Sequence, residues 1–144
     1  MRSLLDVNVL IALLDAAHVH HAMATSWLRR EQKQGWASCP ITQIGCVRIM
    51  SQPAYPGALP AAEIALRLGE ACAHEAHAFW PDSVDLLGGA AVSWPHVLGH
   101  RQVTDTYLLA LAVKNRGRLV SFDRRIALGA VAGARAEHLV VIQP

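Results

Sequence analysis

The sequence predicts an α/β fold, a mainly parallel central sheet covered by helices on both faces. Two observations carry this. Short apolar runs alternate along the chain with longer segments of helical period. The runs themselves show little polar alternation, which suits strands buried on both faces. "SLLD" at residues 3–6 reads as the first strand, and the apolar stretch 8–14 as a helix. Over 20–34, Met23, Trp27 and Leu28 fall near helical spacing with charge opposite, and Gly35 stops that helix. "WASC" (36–39) is a second strand. Pro40 then opens a helix that runs to about Ser51.

"PAYPGALP" (53–60) is a loop by its prolines and glycine. Residues 61–74 read as an amphipathic helix with Ile64, Leu66, Leu68 and Cys72. "AHAFW" (76–80) is a weaker strand. Residues 82–91 are expected to form a short helix capped by Asp82. Residues 93–102 are expected to be loop, and "VTDTYLLALAVKNR" (103–116) is a strong helix ended by Gly117. "RLVSF" (118–122) is a strand, 124–133 loose helix or loop, and "HLVVIQ" (138–143) the last strand.

A chain of 144 residues suits one domain over 1–144. It is long enough to fold without disulfides or a structural metal. The hydrophobic fraction is 53% and the mean hydropathy +0.26. No apolar run reaches the ~18–20 residues needed to cross a bilayer. The N-terminus lacks the pattern of a signal peptide. The expectation is a cytoplasmic protein with a strongly buried sheet and an apolar patch that another chain covers. Cys39, Cys46 and Cys72 are odd in number and lack zinc spacing, so they read as reduced thiols. His18, His20 and His21 cluster in a polar turn rather than a ligand pattern. The net charge of +2 permits an anionic partner without demanding one. Arginine outnumbers lysine 11 to 2, which suits phosphate contacts.

The aspartates carry the chemistry. Two apolar strands, "SLLD" and "LVSFD", end on Asp6 and Asp123. In a parallel sheet those ends share one edge, the edge where open α/β folds bind ligands. The helix over 104–115 runs back against strand 118–122. Both are roughly 16 Å long, so the helix start lies level with the strand end. Asp105, in the first helical turn, therefore comes out beside Asp123. The helix after strand 36–39 starts on the same edge and carries Gln43 in its first turn. Asn8 follows Asp6 closely and can orient it or a bound water. Each has a plain structural reading: Asp105 favours a helix N-terminus with Thr104 as cap, Asp123 could pair with Arg124 or Arg125, and Asp6 could close a turn. Three carboxylates at one spot repel each other, however. A chain rarely gathers three without a cation to balance them, and oxygen ligands of this kind suit Mg²⁺ or Mn²⁺.

These segments resemble the PIN-domain ribonucleases, and specifically the VapC toxins of bacterial toxin–antitoxin modules. "LLDVNVLIALLD" resembles the family's first-strand motif, "CPITQIGCVRIMSQPAY" its second block, and "HRQVTDTYLLALAVKNRGRLVSFD" its third and fourth. The resemblance spans nearly the whole chain, with order and spacing in agreement. It implies a PIN-like three-layer sandwich, a Mg²⁺- or Mn²⁺-dependent endoribonuclease, and neutralisation by a cognate VapB-like antitoxin. It maps the acidic residues onto Asp6, Asp105 and Asp123. Asp6 and Asp105 are then expected to bind metal directly and Asp123 through water. One departure stands out: most PIN domains carry Glu in the second block, where this chain has Gln43.

A cation held there would acidify a water and stabilise charge on the phosphoryl group. His100, Arg101, Arg124 and Arg125 flank two of the aspartates and are candidate phosphate contacts, or simply a solvated rim. Trp94 could stack a base or simply pack. An antitoxin segment is expected in a groove between two of the helices at 8–14, 20–34 and 61–74, and a homodimer and a toxin–antitoxin hetero-oligomer are expected as well. Asn8 counts strongly against a phosphatase whose strand-end Asp is followed two residues on by a second Asp. A catalytically weakened RNA- or protein-binding module stays open because of Gln43.

Overall fold

In the computed structural model, which describes residues 1–144, five strands form a single sheet in the order β3-β2-β1-β4-β5, every pair parallel. The strands are β1 (Ser3–Leu5), β2 (Trp36–Ser38), β3 (His77–Phe79), β4 (Arg118–Ser121) and β5 (Leu139–Val141). The helices are α1 (Val7–Leu14), α2 (His21–Glu31), α3 (Pro40–Met50), α4 (Ala61–Cys72) and α5 (Val103–Lys114). Strand alternation sorts the core into two layers. Leu4, Ala37 and Leu119 face α5. Leu5, Trp36 and Val120 face α1 to α4, where Val9, Leu10, Trp27, Cys46 and Ile64 pack. This is the α/β three-layer sandwich, with a sheet that is wholly rather than mainly parallel.

The chain leaves β1 toward β2 on one side and leaves β4 toward β5 on the other. The strand order therefore reverses between β1 and β4, and a crevice opens there beyond their C-terminal ends. Register pins this point: Leu5 lies opposite Val120, and the Asp6 N–H donates to the Val120 carbonyl at 3.0 Å. α1 crosses α3 closely beside it. A Cβ on Gly45 would come within 2.7 Å of the Val7 side chain, so only glycine allows that approach.

Three expectations about local structure change. Residues 82–91 form no helix. The Asp85 carboxylate instead accepts from the Leu87 and Gly88 N–H groups at 3.1 and 2.9 Å. That local turn and the Gly88-Gly89 pair outcompete a helix. The segment 93–102 holds two short 3₁₀ turns, Trp94–His96 and His100–Gln102. The second runs straight into α5, so Gln102 is the N-cap and Thr104 sits inside the first turn without capping.

The end of α5 also differs from expectation. The left-handed residue is Arg116, with φ 58°, and not Gly117. Arg116 N–H bonds to the Val113 carbonyl and Gly117 N–H to the Ala112 carbonyl, a Schellman closure. Gly117 serves another need. A Cβ there would lie 2.6 Å from both the Arg2 carbonyl and the Trp80 ring.

Candidate active site

Asp6 ends β1 and caps α1. Its Oδ1 accepts from the Val7 N–H at 2.7 Å. Its Oδ2 accepts from the Ser121 hydroxyl at 2.8 Å, across the β1–β4 crevice. The residue is only 6% exposed. Burial raises the Asp6 pKa, the two hydrogen bonds oppose this, and repulsion from Asp123 adds to it.

Ser121 is the residue that sequence reasoning missed. It is fully buried at the end of β4. Its hydroxyl donates to Asp6 and accepts from the Asp123 N–H at 3.0 Å. One side chain thus fixes a carboxylate on one strand and the turn that carries a second. The signal was present: a lone hydroxyl inside the apolar run "LVSF" is the same anomaly as a carboxylate after "SLL".

Asp105 lies in the first turn of α5. Burial first, then the charges of Asp6 and Asp123, push its carboxyl pKa up to about 7, with Arg125 opposing. No hydrogen-bond donor offsets that rise. Repulsion from its neighbours enters these shifts because β1, β4 and the start of α5 carry the three expected aspartates to one rim.

Asp123 behaves differently. Its Oδ1 accepts from the Arg125 backbone N–H at 2.8 Å and from Arg125 Nε at 3.1 Å, and its Oδ2 from Nη2 at 3.3 Å. These bonds hold its carboxyl below the usual range. The expected pairing with a neighbouring arginine is therefore real and specific to Arg125.

The donor set suits a hard divalent cation: carboxylate oxygens only, two of them in a partly buried rim that disfavours their charge. The three do not yet close to coordination spacing around one point. Arg125 engages both oxygens of Asp123.

Two expected site residues point elsewhere. Asn8 is exposed on α1 and makes no bond to Asp6, whose orientation comes from Ser121 and Val7. Gln43, in the first turn of α3, donates from Nε2 to Ser38 Oγ at 3.0 Å. Ser38 Oγ in turn lies 2.7 Å from His77 Nε2. The amide is thus tied to β2 and β3 rather than to Asp6. His100, Arg101 and Arg124 are exposed, and Trp94 is 39% exposed with its indole N–H on the Leu86 carbonyl at 3.3 Å.

Away from the rim, α1, α2 and α4 enclose an apolar groove of about 440 Å³, lined by Leu10, Leu13, Leu28, Trp36 and Leu68 with His21 and His74 among its polar residues. No helix is long and apolar enough to cross a membrane.

The PIN domain family profile matches residues 3–132. The chain is 47% identical over 142 residues to a protein of Mycobacterium tuberculosis named Ribonuclease VapC44, covering 99% of this chain and all of that one. It is 47% identical over 135 residues to Ribonuclease VapC39 of the same organism, covering 92% of this chain and 96% of that one. It is 40% identical over 122 residues to Ribonuclease VapC38, covering 84% of each.

Proposed function

The chain belongs to the PIN-domain family, on its VapC branch, and from that premise we propose that it is an endoribonuclease that requires Mg²⁺ or Mn²⁺ and acts as the toxin of a VapBC-type pair. One observation supports this most: Asp6, Asp105 and Asp123 share the rim at the β1–β4 switch point, with too little positive charge to balance them. Asp6 and Asp105 are the proposed direct ligands, with Asp123 acting through water. A bound divalent cation would supply an acidified water and positive charge beside the phosphate. Ser121 keeps Asp6 aimed and the Asp123 turn in place. Asp123 orients the attacking water. The exposed side chains of His100, Arg101, Arg124 and Arg125 hold RNA phosphates. Asn8, free of Asp6, faces solvent where water or RNA can reach it.

Gln43 supplies no charge and its amide is committed to Ser38. It favours one second reading, a PIN-like module that binds without cutting. Mapping RNA 5′ ends after induction separates the two. Discrete new ends that vanish in Asp105→Asn support the nuclease, and an unchanged 5′-end profile supports the binding module. Gln43→Glu is expected to tighten Mn²⁺ binding less than tenfold, under about 1.4 kcal/mol, because residue 43 is held away from Asp6. Calorimetric titration checks this, and a larger gain would put residue 43 among the ligands.

The proposed antitoxin contributes an apolar segment that fills the α1–α2–α4 groove and extends a basic side chain to the acidic rim. Co-purification with the product of the adjacent reading frame tests it, and a soluble chain with no affinity for that product would remove it. A homodimer would cover the exposed Leu98 and Val103, which precede Asp105 in the chain.

A further inference from the structure

We propose that Arg125 is a built-in counter-ion for Asp123, which a divalent cation must displace and which then passes to the RNA phosphate. The inference rests on the metal-dependent reading above and concerns what stands in the site before metal enters. Arg125 holds Asp123 through three hydrogen bonds, from its backbone N–H and two guanidinium nitrogens, and both carboxylate oxygens are engaged. The fork is formed within three consecutive residues, so the turn itself presents the guanidinium and little chain entropy is lost. The same positive charge also reaches Asp105. Asp6, the third carboxylate, takes its donors from Ser121 and Val7 instead. The guanidinium thus supplies part of the charge that a metal would supply, on the carboxylate best placed to lose it.

Exposure decides whether this is a lock or a gate. The Arg125 side chain is 62% exposed and that of Asp123 24%. An ion pair so open to water is weak, so a divalent cation can replace it at small cost. A buried pair could not be broken so cheaply. Once displaced, the guanidinium stays tethered two residues from Asp123. Its planar fork matches a phosphate as well as it matches a carboxylate. Arg124, the adjacent cation, is exposed and makes no bond to Asp123, which provides an internal comparison.

The test is Mn²⁺ calorimetry on the full chain with three substitutions. Arg125→Gln is expected to bind Mn²⁺ about fivefold tighter than wild type. Arg125→Lys, which keeps charge but loses the fork, should fall between them. Arg124→Gln should change affinity less than about twofold. Equal effects at 124 and 125, or no effect at 125, would overturn the counter-ion while leaving metal binding intact. Failure of wild type itself to bind Mn²⁺ would overturn the metal-dependent reading and the counter-ion with it. At saturating Mn²⁺, Arg125→Gln should cut RNA with a raised KM, and an unchanged KM would remove the transfer to phosphate.

Discussion

Asp105→Asn is expected to lower RNA cleavage by about 10³-fold or more while leaving the fold intact. Charge stabilisation by a catalytic metal is worth several kcal/mol, and each 1.36 kcal/mol is a factor of ten. Asp105 is the carboxylate with least else to do. It accepts no hydrogen bond that a local turn would need, unlike Asp6 at its helix cap or Asp123 on Arg125. Replacing one carboxylate oxygen by an NH₂ group keeps the volume and removes the charge. The readout pairs a cleavage assay with a thermal melt. Undiminished cleavage, or a variant that fails to fold, would show that Asp105 serves the helix terminus instead.

The second expected result is a pH dependence of stability without metal. The Asp105 pKa is raised from 3.8 to about 7 in the folded chain. Between those values the folded state holds a proton that the unfolded state has released. Stability therefore falls as pH rises from about 4 to about 7, and the full penalty remains above that. A wholly shielded shift of this size would be about 4 kcal/mol. The carboxylate is partly open to water, and screening reduces the effect to about 1–2 kcal/mol. Burial lowers the His77 pKa, which contributes the opposite slope as the pH falls. The comparison with Asp105→Asn cancels that term. The variant should melt higher than wild type at pH 8 and much closer to it at pH 5. Mg²⁺ should raise the melting temperature of wild type far more than that of the variant. Parallel pH curves for the two proteins would mean that Asp105 is not strained. The same relief is not expected of Asp123→Asn, because Arg125 already balances Asp123 and depresses its pKa.

The rim was legible because it depends on lengths and directions. Parallel strands ending on Asp6 and Asp123 share an edge by topology, and a helix as long as its strand returns Asp105 to that edge. The layers were legible because Leu4 and Leu5, or Leu119 and Val120, must face opposite ways. Side-chain direction was not. Whether Gln43 meets Asp6 or Ser38 depends on a rotamer and on the hydroxyl of Ser38, which no spacing encodes. Asn8 lies two residues from Asp6 and still faces solvent, because one helical turn begins between them. Arg124 and Arg125 are equivalent as letters. Only the turn at Asp123 selects Arg125. The segment 82–91 failed for a related reason: Asp82 reads as a cap, but Asp85 closes a tighter turn before two glycines.

The central claim is that these three aspartates form a metal-dependent site for cutting RNA. RNA cleavage by the purified chain in excess EDTA, followed by titration of Mg²⁺ or Mn²⁺ back into the same sample, tests it most directly. Cleavage should stop in EDTA and return with either ion, and Asp105→Asn should stay about 10³-fold or more below wild type with either ion. Cleavage that continues undiminished in EDTA would contradict the account.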